Sequence, residues 1–75
     1  MMNRVYRNDF RSRVDAEKTI LDPRYGREKL ISHHAFKRFD AEAKANLASG
    51  EIDQMDYINL RSYIGYAVNG PRAGA

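Results

Sequence analysis

The sequence predicts an all-α fold, a small bundle of three helices, and three observations carry that expectation. Apolar residues recur at spacings of three and four along three separate stretches. Asp22-Pro23, Gly50 and Asn69-Gly70-Pro71 punctuate the chain between and after them. No alternating apolar–polar run of four or more residues competes with the helical pattern. At 75 residues the chain has room for one domain, read as 1–70 with a flexible tail at 71–75. A core of this size rarely supplies more than about 3–5 kcal/mol.

The first helix is expected over residues 9–21. Phe10, Val14 and Leu21 recur at near-helical spacing, Tyr6 extends the row backwards, and Asn8 or Asp9 is placed to cap the first turn. Pro23 disfavours helical geometry at Asp22, and Asp22-Pro23-Arg24-Tyr25-Gly26 reads as a turn. The second helix is expected over 27–48, with Phe36, Phe39, Ala43 and Leu47 as its stripe and Gly50 closing it. Leu30 and Ile31 lie far off that stripe, so either the helix begins later or its first turn packs against another neighbour. The third helix is expected over 53–68. Asp53 caps it with Asp56 three residues on, and Ile52 and Tyr57 stand at the hydrophobic-staple spacing. Tyr57, Leu60, Ile64 and Val68 form its inward row.

Leu47, Gly50, Ile52, Asp53, Asp56, Tyr57 and Ile64 together form a recognisable pattern: a leucine, Gly-x-Ile, a cap, an acid, an aromatic, and an apolar residue seven further on. Residues 47–64 thereby resemble the SHOCT type of short helical hairpin, over 18 of the 75 residues. The family's Thr or Ser cap is Asp53 here, and Met55 stands where the family has an acid. The resemblance implies an interaction or oligomerisation module without catalysis, carried mainly by Ile52, Tyr57 and Ile64.

Composition excludes several function classes. There is no cysteine, so disulfides and thiolate metal sites are ruled out. No apolar run approaches the roughly 18 residues that span a bilayer, and Arg4, Arg7 and Arg11 interrupt any signal-peptide pattern. A cytoplasmic protein without membrane contact is expected. His33 and His34 are adjacent and so diverge on a helix, and each faces Lys37 or Arg38 one turn on, so no metal site is assigned. Asp40 with Glu42, and Asp53 with Asp56, read as capping and solvated acids. No catalytic residue, cofactor or small-molecule substrate is expected.

Charge is divided unevenly. Residues 1–38 carry ten basic and five acidic side chains, residues 39–75 three basic and five acidic, within a net charge of +3. A dipolar chain attracts polyanions, basic surfaces or a second copy of itself. Arg4, Arg7 and Arg11 fall near one face if the first helix reaches back to Arg4, and are the expected electrostatic contacts. With Tyr6 and Tyr25 as stacking groups, the same half supports an alternative reading as a nucleic-acid-binding accessory protein. Against it, Asp9–Arg13, Arg11–Asp15 and Arg13–Glu17 are all spaced for local ion pairs, and those acids repel phosphates.

The third helix is anomalous. Met55, Ile58, Tyr63 and Tyr66 spread around other faces than its inward row, while Ser62 and Gly65 on the second side leave room for another backbone. A helix apolar all round is buried all round. Either helices one and two sandwich it, or Met55, Ile58, Tyr63 and Tyr66 are contacts for a partner. The function expected is that of a small non-catalytic docking protein: an adaptor, inhibitor or minor subunit binding a protein partner or itself as a homo-oligomer. Its style is that of small phage or mobile-element proteins.

Overall fold

The computed structural model describes residues 4–20 and 29–70. They form an all-α, three-helix bundle with one small ladder: α1 Arg4–Ala16, β1 Thr19–Ile20, β2 Lys29–Leu30, α2 His33–Ser49 and α3 Gln54–Asn69. The expected turn at residues 22–26 and the tail at 71–75 lie outside the described residues, as do Leu21 and Tyr25.

α1 is displaced toward the N-terminus relative to the sequence expectation. It begins at Arg4, so Asn8 and Asp9 lie within it and cap nothing, and it ends at Ala16. Tight bonds from the amides of Glu17 to Val14 (3.1 Å) and of Lys18 to Asp15 (3.2 Å) close its last turn. Beyond them Thr19 and Ile20, both β-branched and better suited to extended backbone, pair antiparallel with Leu30 and Lys29.

α2 begins at His33, six residues later than the expected start at 27. Ser32 is its N-cap, the hydroxyl accepting from the amide of Ala35 at 3.1 Å. The open question over Leu30 and Ile31 is thereby resolved: both precede the helix, and Ile31 is fully buried. The Ile31 amide donates to the Ala67 carbonyl at 2.8 Å, satisfying one of the orphan acceptors in the last turn of α3. Gly50 ends α2 with φ +84°, a left-handed conformation that favours glycine. α3 has the anticipated cap: Asp53 accepts from the Asp56 amide at 2.8 Å, and Asp56 accepts from the Asp53 amide at 3.1 Å.

The core draws on all three helices. Phe10 and Val14 from α1 meet Ala35, Phe39 and Ala43 from α2 and Leu60, Ile64, Ala67 and Val68 from α3, with Ile31 and Ile52 entering from the connections. Phe10 and Phe39 meet edge to face, centroids 5.5 Å apart. Polar ties surround this core. The Glu42 carboxylate on α2 accepts twice from the Arg13 guanidinium (2.7 and 2.9 Å) and once from the Tyr6 hydroxyl (2.9 Å). Asp40 accepts from the Tyr57 hydroxyl at 2.7 Å and lies 3.0 Å from the Lys44 ammonium, joining α2 to α3. Among the described residues no helix is long and apolar enough to cross a membrane.

Candidate docking surface

The inward row of α3 sets its outer row by default. Leu60, Ile64 and Val68 are buried, and a residue two positions from each is turned far round the helix. Met55, Ile58, Ser62, Tyr66 and Asn69 follow one another at steps of three and four, with Gly65 three residues after Ser62, and so make one stripe along the opposite side. Met55 is 65% exposed, Ile58 46% and Tyr66 55%. Three of the four large exposed apolar side chains among the described residues therefore stand on this stripe, the fourth being Val5 on α1. The sandwich account of α3 does not hold for that side, because α1 and α2 both pack against the inner row.

Tyr63 is placed differently from the other three expected contacts. It is half-buried, packs against the core, and its hydroxyl donates to the Asp15 carboxylate on α1. The Arg11 guanidinium lies 5.1 Å from its ring centroid and the Lys18 ammonium 5.4 Å. Burial and the bond to Asp15 push the Tyr63 phenol up to about 12. The same bond, with that from Lys18, holds the Asp15 carboxyl below its ordinary range. Tyr63 is thus a seam between α1 and α3 that flanks the exposed stripe.

The basic residues divide similarly. Arg4 and Arg11 are exposed and Arg7 is half-buried, with its Nε covered and unpaired. Arg11 is joined to α3 through the Tyr63 ring. Only one of the three anticipated local ion pairs forms, Arg13 to Asp9 at 2.9 Å. Asp15 turns to Lys18 and Tyr63, and Glu17 pairs with Arg38 on α2. Sequence spacing could not find Tyr63 and Arg38, which lie 48 and 21 residues away, although Lys18 stands at a local i,i+3 spacing. Tyr6, one of the two expected stacking groups, is half-buried and donates to Glu42 while accepting from the Asn46 side chain at 2.6 Å.

Two concavities touch α3. A shallow groove of about 250 Å³ lies on the outer stripe itself, lined by Arg61, Ser62, Gly65, Tyr66 and Asn69. A second runs from Tyr63 and Tyr66 to Lys18, Lys29, Leu30 and Gly70 beside the ladder. His33 and His34 are both exposed in the first turn of α2. The described residues contain no group of His, Asp or Glu side chains arranged to hold a metal ion.

The residues that the SHOCT-like pattern implies as contacts serve the interior here. Ile52 and Ile64 are buried core residues, and Tyr57 is half-buried with its hydroxyl on Asp40. No family model matches the chain, and no curated protein or solved structure matches it.

Proposed function

We propose that this chain is a non-catalytic docking protein, an adaptor, inhibitor or minor subunit that acts by covering a protein surface with the outer face of α3. The observation that carries the reading is the stripe of Met55, Ile58 and Tyr66, each about half or more exposed on a helix whose opposite side is core. A 75-residue bundle has every reason to turn such side chains inward, because its core is small. Leaving three in water on one stripe is what a contact surface requires. Methionine adapts its shape to a partner, and tyrosine gives contact area at small entropic cost.

The test replaces Ile58 or Tyr66 with aspartate. The helical circular dichroism should be retained and association, with itself or with a captured partner, should be lost; unchanged association would refute the surface. Nucleic acid, the other partner class, is checked by fluorescence anisotropy at about 50 mM salt, where phosphate contacts are strong. Tyr6, tied to Glu42 and Asn46, is not free to stack on a base, and this favours the protein partner.

A further inference from the structure

A coiled-coil contact needs a projecting side chain on one helix and a diamond of four residues on the other, at i, i+3, i+4 and i+7. The outer face of α3 carries both. Ser62, Gly65, Tyr66 and Asn69 stand at that spacing and, with Arg61, line the shallow groove. Ile58, four residues before Ser62, projects from the same face. Turn a second α3 antiparallel, with a two-fold axis at Ser62. Ile58 then falls opposite Tyr66 and so over the groove, Met55 falls opposite Asn69, and Ser62 faces its own copy. Each helix fills the other's groove once, the self-complementarity an isologous interface demands.

Charge selects the same arrangement. The N-terminal end of α3 carries Glu51 and Asp56 beside the Asp53 cap, whereas Lys29, together with Lys18 in its pair with Asp15, lines the groove beside its C-terminal end, with Tyr66 and Gly70. An antiparallel pair sets acids against lysines at both ends, and a parallel pair sets like against like.

Gly65 adds a third observation. A methyl group there would meet only the Arg61 guanidinium, at an ordinary contact distance of 3.5 Å. The isolated fold therefore has space for alanine, which is the better helix former. A close approach of a second backbone is what a glycine at this position allows.

We propose that the occupant of this face is a second copy of the chain, paired antiparallel through α3 about a two-fold axis at Ser62. A second copy as occupant presupposes the docking role proposed above and names the partner.

The experiment uses the full chain, in which the absence of cysteine gives a clean background for cross-linking. Sedimentation equilibrium up to millimolar concentration should show a monomer–dimer equilibrium, weakened about tenfold or more in Ile58→Asp. Gly65→Ala should melt at a higher temperature as a monomer yet dimerise less. Under mild oxidation Ser62→Cys should cross-link, and Met55→Cys should not, since antiparallel copies hold position 55 about 20 Å apart at 1.5 Å per residue. Cross-linking of Met55→Cys would overturn the antiparallel arrangement. A wild-type chain that stays monomeric, with Ser62→Cys left uncross-linked, would overturn self-pairing altogether. In that event, Ile58-dependent binding of a foreign protein would leave the docking role standing with its partner wrongly assigned; its absence would remove both.

Discussion

Two isoleucines on one helix give the sharpest test of the division between an inner and an outer face. Ile64 is completely buried and Ile58 is 46% exposed. Truncating a buried isoleucine to alanine costs about 2–5 kcal/mol, the lost transfer energy plus that of the cavity. The total available to a domain of this size is about 3–5 kcal/mol, so Ile64→Ala should be largely unfolded at room temperature. For Ile58 the fold covers only about half the side chain, so of the roughly 1.5–3 kcal/mol for full burial about 0.8–1.5 is at stake. Part of that cover comes from the helix itself, and alanine's better helix propensity returns about 0.4 kcal/mol. A net cost of about 0.5–1 kcal/mol is expected. The assay is urea unfolding followed by far-ultraviolet circular dichroism. With a slope of about 1 kcal/mol per molar, the Ile58→Ala midpoint should move by less than about 1 M, while Ile64→Ala should show no folded baseline. Should Ile58→Ala cost as much as Ile64→Ala, the outer row is holding the fold together and is not a spare surface.

Acid should destabilise the fold through its carboxylates. Arg13's guanidinium, with the Tyr6 hydroxyl, holds Glu42 below its ordinary value, and Asp15, Asp53 and Asp40 are lowered too, burial at Asp40 being outweighed by Tyr57 and Lys44. Lowered carboxylates stabilise above their unfolded values and lose that contribution as pH falls through the folded ones, so the melting temperature should drop between about pH 5 and pH 3 and fall less in Glu42→Gln; a flat profile would refute the role of these pairs. At the alkaline end the sign reverses: Tyr63, pushed up to about 12, stabilises fully below about 10 and loses this as pH rises toward 12. Titrating the tyrosine absorbance should show a late step that Tyr63→Phe removes, and its persistence would assign the step elsewhere. Ser32→Ala removes the hydroxyl that accepts from the Ala35 amide. It should cost about 1 kcal/mol, a drop of about 4–8 °C in a domain of this size, measured by thermal denaturation.

What the sequence made legible was whatever is encoded within one turn of a helix. The start of α3 is of this kind, since Asp53, Asp56, Ile52 and Tyr57 lie within six residues and satisfy one another locally. The start of α2 carries a comparable but weaker signal. Ser32 is a good N-cap, and Ile31 and Phe36 flank it at the same staple spacing as Ile52 and Tyr57 about Asp53. The continuous run of charged and helix-forming residues from Arg27 masked it, because no acid stands at position 35 to complete a capping box. The ladder was beyond reach for a different reason. Strands of two residues have no period to detect, and Thr19 and Ile20 extend only because Leu30 and Lys29 are there to pair with them.

Long-range partners escaped in the same way, and they bear directly on the proposed docking surface. Arg13 prefers Glu42, 29 residues away, to Glu17 one turn on, and Asp15 takes Tyr63 across a separation of 48. Spacing along one helix cannot rank such alternatives, since a bidentate guanidinium–carboxylate pair in a half-buried seam outcompetes a solvated i,i+4 pair. The consequence is a redistribution of charge that composition alone conceals. Asp15, Glu17, Asp40 and Glu42 each tie one part of the bundle to another, through Tyr63, Arg38, Tyr57 and Arg13, while Asp9 braces Arg13 within α1. Glu51 and the cap acids Asp53 and Asp56 stand toward one end of α3, and Lys29 lies along the groove that Tyr66 shares beside the other end. The outer side of α3 thus has acids toward one end and a lysine beside the other, with an apolar ridge between them. A ridge so flanked is complementary to itself when reversed and not when parallel, and this is the orientation proposed for a second copy.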